Sequence, residues 1–84
     1  MFNKVIKVEP LKDFYILVTF EKGKRKYYDV KPLFKKWKVF EELENNNELF
    51  LSVKVDKGGF GISWNDHIDL SCNELWENGK ENIE

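Results

Sequence analysis

The sequence has one cysteine, few prolines and no long hydrophobic run, and these shortages exclude several classes of protein and of metal site. Cys72, the one cysteine among 84 residues, cannot form an internal disulfide and is too little for a thiolate zinc site. The longest mostly apolar stretch, residues 14–20, is far shorter than the roughly 20 residues that span a membrane. The residues after Met1 show no apolar h-region and no cleavage pattern, so we expect no signal peptide. We therefore expect a soluble, cytoplasmic protein with no membrane partner.

Aromatic side chains, by contrast, are plentiful. They make up 15% of the chain, as 7 Phe, 3 Tyr and 3 Trp. Disordered chains are poor in aromatic residues, so this composition indicates a packed core. The length allows one domain. We expect a single α+β domain over residues 1–78 and a frayed C-terminal tail over residues 79–84, which are mostly polar.

Period-two alternation of apolar residues predicts the strands. Five are expected, over residues 4–9, 14–20, 25–30, 52–56 and 60–64. The second is apolar on both faces, which places it at the centre of a sheet. Turns are predicted at residues 21–24, where Gly23 is free to adopt positive φ, and at residues 56–59 and 65–67. Ile68 and Leu70 are expected to pack inward after the last turn.

Helical spacing predicts one main helix over residues 32–44. Pro32 suits the first helical position, where a missing N–H costs nothing. Four apolar residues then fall on one stripe, at Leu33, Trp37, Phe40 and Leu43. This stripe is expected to cover the sheet, with Trp37 in the core. A second, short helix is predicted after Ser71, which can form a capping box with Glu74.

The order of elements is then β-β-β-α-β-β-α. Successive strands are joined by hairpins and not by helical crossovers, which predicts a mainly antiparallel sheet. We expect an α+β fold with one sheet of four to five strands and one main helix packed on it.

Several segments, taken in order, resemble a known family. They are Val5-Ile6-Lys7-Val8 followed by Pro10, residues 14–20 leading into Glu21-Lys22-Gly23, Tyr28-Asp29-Val30-Lys31-Pro32-Leu33, Leu49-Phe50 before Val53-Lys54-Val55-Asp56, and Gly61-Ile62-Ser63-Trp64 followed by Ile68-Asp69-Leu70-Ser71 and Leu75-Trp76. The set resembles the bacterial family called domain of unknown function 2442, from about residue 5 to residue 76. The chain departs from the family pattern at Lys31, where a small polar residue is frequent, and at His67, where glycine is common.

The resemblance implies a small α+β fold and a cytoplasmic, bacterial protein. Some members of that family look like the first half of proteins that continue into a helix-turn-helix domain, which we do not expect after Trp76 in this chain. Others look like partners of a second small protein, in arrangements suggestive of toxin–antitoxin pairs. The resemblance carries over no catalytic residue.

No group of residues forms a recognisable catalytic or metal site. The spacing of Asp66, His67, Asp69 and Cys72 matches no established ligand pattern. The glycines at 58, 59 and 61 join two strands, whereas phosphate-binding loops lead from a strand into a helix. We expect no cofactor, no bound metal, no catalytic residues and no enzyme activity.

The charges are unevenly distributed along the chain. The formal net charge is −1, but residues 1–42 carry +5 and residues 43–84 carry −6. The positive excess lies between residues 22 and 38. The candidate partner-binding residues are Lys22, Lys24, Arg25, Lys26, Lys35 and Lys38. Such a surface suits an acidic partner, although an ordinary solvated face has the same composition.

Two functions remain open for this lysine-rich surface. The first is a small, non-catalytic protein–protein interaction or regulatory module, the antitoxin-like member of a two-protein pair; the partner would be another protein, and a homo-oligomer is an option. The alternative is an RNA- or DNA-binding domain that uses the 22–38 surface, with Tyr27, Tyr28 or Trp37 stacking on bases.

Overall fold

The computed structural model describes residues 2–83, and these contain six strands and four helices. The strands are β1 (Val5–Pro10), β2 (Tyr15–Phe20), β3 (Arg25–Asp29), β4 (Lys54–Val55), β5 (Gly61–Asn65) and β6 (Ile68–Ser71). The helices are α1 (Lys31–Lys36), α2 (Glu41–Asn45), α3 (Asn47–Leu51) and α4 (Cys72–Asn78). Short 3₁₀ turns lie at Lys12–Phe14, Glu21–Gly23, Lys38–Phe40 and Lys57–Gly59. The α+β class is confirmed.

The strands form two antiparallel sheets, so the prediction of one sheet of four to five strands is wrong. One sheet has the order β1-β2-β3 and the other the order β4-β5-β6. The sheets meet where the Gly59 backbone packs on Val5, so closely that an added Cβ would lie 2.6 Å from the Val5 carbonyl oxygen. β3 leads into the helices and not into another strand, which leaves β4 to pair with β5.

The sixth strand, β6, was not predicted, although the turn before it at residues 65–67 was. The Asn65 side chain accepts hydrogen bonds from the backbone N–H groups of His67 and Ile68, at 2.8 and 3.0 Å. This turn reverses the chain, and β6 then pairs with β5 from Gly61–Ser71 to Asn65–Ile68.

β2 is the central strand of its sheet, as predicted. It pairs with β1 on one side and β3 on the other. Ile16, Val18 and Phe20 point into the core and are fully buried. Leu17 lies on the opposite face and is also buried, although it is outside the main core cluster.

The predicted helix over residues 32–44 is broken, and Trp37 lies at the break. Its backbone is extended, with φ −130° and ψ 119°, and separates α1 from the 3₁₀ turn that precedes α2. Trp37 is 53% exposed, so the prediction that it belongs to the core is wrong. In one continuous helix Lys35 and Lys38 would be like-charged neighbours three residues apart, which is unfavourable.

The break allows both halves of the segment to bury their apolar residues. Leu33 and Phe34 of α1, Phe40 of the 3₁₀ turn and Leu43 of α2 are all buried. Together with residues from both sheets they form one core. The largest fully buried side chains of that core are Phe20, Ile16, Leu43, Ile62, Ile68, Leu75, Val18, Val30 and Cys72.

The C-terminal helix α4 is capped by Ser71, as predicted, but the Glu74 carboxylate accepts from Tyr28 and Asn78 and does not complete the predicted capping box. A segment that contacts β3 follows the helix. The Ser71 hydroxyl accepts from the Glu74 backbone N–H at 3.1 Å. Lys80, which lies in the expected frayed tail, forms an antiparallel bridge with Tyr27. Among the helices of residues 2–83, none combines the length and apolar character that crossing a membrane requires.

Candidate interaction surface

Four of the predicted partner-binding residues lie at the β2–β3 hairpin, and we call Lys22, Lys24, Arg25 and Lys26 the hairpin group. Lys22 is exposed and adopts a left-handed backbone, with φ 74°. Lys24 forms an ion pair with Glu81. Lys26 donates to the Trp76 carbonyl oxygen at 2.6 Å, and its ammonium lies 4.2 Å from the centre of the Trp76 ring. Lys24 and Lys26 are therefore already engaged within the molecule.

The other two, Lys35 and Lys38, lie on either side of the helix break. Here Trp37 and Val39 are 53% and 47% exposed. The Lys36 ammonium lies 5.7 Å from the centre of the Trp37 ring, which is within the range of a cation–π contact. We call residues 35–39 the tryptophan platform. It combines exposed apolar surface with three exposed lysines, at positions 35, 36 and 38.

The two groups are separated in the chain by the rest of β3 and most of α1. The hairpin group lies at the start of β3, and the tryptophan platform follows α1, which begins after the end of β3. The five residues of β3 span roughly 17 Å, about two Debye lengths at physiological ionic strength. Lys35 also lines a groove of about 350 Å³ together with Glu41 and Glu44. The tryptophan platform and the hairpin group are therefore separate candidate sites.

A cleft lined by tyrosines lies between the two groups, and the sequence analysis did not predict it. Its volume is about 400 Å³. Its walls are formed by Tyr15, Tyr27, Tyr28, Asp29, Pro32, Leu33, Lys36, Glu74, Asn78, Lys80, Asn82 and Ile83. The cleft depends on residues 80–83 lying beside β3, and no local pattern in the sequence indicates that contact.

The inner wall of the cleft is fixed by a hydrogen bond between β3 and α4. The Tyr28 hydroxyl donates to the Glu74 carboxylate at 2.8 Å. Burial raises the pKa of Tyr28 well above its ordinary value, and the hydrogen bond to Glu74 and its charge raise it further. The Tyr28 phenol is therefore neutral at physiological pH and acts as a structural donor.

An exposed ion pair between Lys24 and Glu81 lies next in the chain to Lys80 and Asn82, which line the cleft. The hydrogen bond and the charge of Lys24 lower the pKa of Glu81, and the charge of Lys26 lowers it further. Glu81 is therefore a carboxylate at neutral pH, held by the hairpin group.

The residues considered for nucleophile or metal chemistry are not brought together. His67 is exposed in the β5–β6 turn, whereas Cys72 is buried at the start of α4. β6 lies between them, a separation of roughly 15 Å along an extended strand. Asp56 accepts from the Ser63 hydroxyl at 2.7 Å, which is a structural role. Within residues 2–83, no three His, Cys, Asp or Glu side chains lie close enough together to hold a metal ion.

The family model described as "Protein of unknown function (DUF2442)" matches residues 5–81. The chain belongs to the DUF2442 family. The DUF2442 match includes both lysine groups and extends past α4 to Lys80, which bridges Tyr27 of β3, and Glu81, which pairs with Lys24. No curated protein and no solved structure matches the chain. The family description assigns no activity, so a proposal of function must come from the surfaces described above.

Proposed function

We propose that this DUF2442 chain is a non-catalytic protein-interaction module whose tryptophan platform binds an acidic segment of a partner protein. The observation that carries the proposal is the exposure of Trp37 among three lysines. The further proposal, that the chain is the antitoxin-like member of a two-protein pair, rests on the family resemblance.

The energetics of an exposed indole favour a binding role. Covering the exposed half of Trp37, roughly 130 Å² of surface, would contribute at most about 3 kcal/mol of apolar transfer free energy, part of which offsets the entropy lost on association. Tryptophan is among the residues that contribute most to protein interfaces. The lysines contribute differently, because an exposed ion pair is worth only about 0–1 kcal/mol but accelerates the association of opposite charges. Trp37 would therefore govern affinity, and the lysines would govern the association rate.

The same platform favours a second candidate, which is binding of single-stranded nucleic acid. An exposed indole can stack on a base, and lysines can contact the phosphates. Three lysines would neutralise about three phosphates, so the logarithm of affinity would fall with the logarithm of salt concentration with a slope of about −2. That is a weak electrostatic contribution, which favours the protein partner as the first choice.

Affinity capture from the source cells with two variants of the full chain tests the proposal. Trp37→Ala should lose the captured protein partner, and the double variant Lys35→Glu, Lys38→Glu should slow its association at low salt. The matched control is Lys54→Glu, Lys57→Glu, which changes the charge equally at exposed lysines of the other sheet. The control should behave as the wild type.

Two outcomes would contradict the proposal. If Trp37→Ala retains the partner with unchanged affinity, the platform is not the binding site. If the wild type instead retains single-stranded RNA with a salt slope near −2, and the Lys35, Lys38 double variant loses it, nucleic-acid binding replaces protein binding.

A further inference from the structure

The outer edge of β3 is occupied by a short segment of the same chain. The Tyr27 N–H donates to the Lys80 carbonyl at 2.7 Å, and the Lys80 N–H donates to the Tyr27 carbonyl at the same distance. This is an isolated bridge and not a strand. By comparison, five residue pairs join β2 to β3 on the other side of the same strand. The backbone pairing of the segment with β3 is therefore limited to one residue pair.

The rest of that edge is available for pairing. The backbone N–H and C=O groups of successive residues point to opposite sides of a strand. Those of Arg25 and Asp29 therefore point away from β2, as those of Tyr27 do. Within residues 2–83, the backbone hydrogen bonds made across this edge are those between Tyr27 and Lys80. An exposed sheet edge with unpaired backbone groups is a template for an added strand.

The side chains of the segment indicate the chemistry that the edge accepts. Glu81 follows the pairing residue and forms an ion pair with Lys24. Ile83, two residues later, lines the tyrosine cleft together with Tyr15 and is about half exposed. Arg25 and Lys26 add positive charge along the same edge. The pattern is therefore a backbone-pairing residue, then an acidic residue, and then an aliphatic residue two positions further on.

We propose that the outer edge of β3 and the adjoining tyrosine cleft bind an extended segment of a partner protein that carries an acidic residue directly after its backbone-pairing residue, and that this segment displaces residues 79–83 of this chain. The inference rests on the proposed function in one respect, that the ligand is a protein. It assigns a second contact, which adjoins the tryptophan platform at Lys36 but does not include Trp37, and gives the C-terminal segment the role of a competing internal ligand.

The test uses the full chain and a synthetic peptide of its own residues 78–83, Asn-Gly-Lys-Glu-Asn-Ile, with both ends blocked. In Glu81→Lys the ion pair with Lys24 becomes a repulsion, so the segment should leave the edge. Glu77→Lys is the matched control, because it makes the same change in charge at an exposed position of α4. Peptide binding is followed by nuclear magnetic resonance of the backbone amides.

The peptide should bind Glu81→Lys at least fivefold more tightly than it binds Glu77→Lys. It should shift the amide signals of Arg25, Tyr27 and Asp29, and a peptide with lysine in place of its glutamate should not. In the absence of peptide, the Tyr27 amide should exchange faster in Glu81→Lys than in Glu77→Lys. Equal peptide affinity for the two variants, or shifts confined to other regions, would overturn the proposal.

A further variant separates this inference from the proposed function. Adding Trp37→Ala to Glu81→Lys should leave peptide affinity within twofold, because the peptide lies on β3. If the peptide results fail while Trp37→Ala still loses the captured partner, the β3 edge is rejected and the platform stands. If the peptide binds as expected while Trp37→Ala retains the partner, the platform is rejected instead.

Discussion

Phe14 shows how a single residue is held in an unfavourable backbone conformation. Asp13 and Phe14 both adopt left-handed φ, at 59° and 61°, which is uncommon for a bulky residue. The Phe14 ring packs edge-on against Phe34 and Phe50, with ring centres 5.1 Å apart in each case. The aromatic packing offsets the backbone strain. It also explains why Phe14, predicted as the first residue of a strand, belongs to the preceding turn.

Comparing alanine substitutions at two glycines with similar φ measures how much the close contact between Gly59 and Val5 contributes to stability. Gly23 and Gly59 have φ of 91° and 80°, but an added Cβ at Gly23 meets nothing within 4 Å. Gly23→Ala should therefore cost only the left-handed penalty of about 1–2 kcal/mol. Gly59→Ala should lose about 1–3 kcal/mol more, because its Cβ would press on the Val5 carbonyl. Urea unfolding followed by circular dichroism measures both; equal losses would show that the two sheets do not depend on this contact.

Trp37 and Trp64 should respond very differently to the same substitution. Trp64 is 3% exposed, and its indole N–H donates to the Phe50 carbonyl at 3.0 Å. Trp64→Ala should cost about 3–5 kcal/mol of the free energy of unfolding. Trp37→Ala should change it by about 0.5 kcal/mol or less, as is usual at the surface. The same urea unfolding experiment tests both substitutions. A large loss of stability in Trp37→Ala would contradict the exposed position of Trp37.

At the scale of elements, the sequence predicted strands better than it predicted helix continuity. The alternation at residues 14–20 identified the central strand because a strand that is buried on both faces has an unmistakable pattern. The stripe through Trp37 did not identify a continuous helix, because the same spacing fits two short helices joined by one extended residue. Asn46, which separates α2 from α3, caps α3 by accepting from the Leu49 N–H at 3.1 Å.

Because of the contact between α4 and β3, the free energy of unfolding should decrease at alkaline pH. The pKa of Tyr28 is raised in the folded state, so the folded protein keeps this proton while the unfolded chain loses it above about pH 10. Its contribution is complete below pH 10 and decreases by about 1.4 kcal/mol per pH unit above that value. Tyr28→Phe should remove this part of the alkaline loss. Urea unfolding between pH 9 and 11 measures it, with Tyr27→Phe as the control; identical slopes in all three proteins would contradict the prediction.

At the scale of the whole molecule, the attachment of the C-terminal segment to β3 should weaken at acidic pH. The pKa of Glu81 is lowered, chiefly by the hydrogen bond from Lys24 and then by its charge. The ion pair is therefore fully formed above the ordinary range for glutamate, about pH 4, and is lost as the pH falls through the lower folded value. The protection of the Lys80 amide against hydrogen exchange, relative to its intrinsic rate at each pH, should then decrease. Lys24→Met should abolish this dependence; if it persists, another group controls the segment.

The division into two sheets and the separation of the lysines are also properties of the whole molecule. The list of strands did not determine which strand pairs with which, because β4 has only two paired residues and the junction at β1 has no ladder. The lysines are close together in the sequence, but β3 is extended and carries them apart. The candidate residues could therefore be predicted from composition, whereas their grouping into two sites required the fold.

The three tryptophans lie in three different environments, and this gives the protein an internal optical signal. Indole emission moves to longer wavelength in water, so Trp37 should emit at the red end and Trp64 at the blue end of the spectrum. Trp76 lies beneath the Lys26 ammonium and against Phe20, with ring centres 5.0 Å apart. A partner that covers Trp37 should shift the emission to shorter wavelength while the other two contributions stay constant. Docking could then be followed in the unlabelled protein, separately from unfolding, which would expose Trp64.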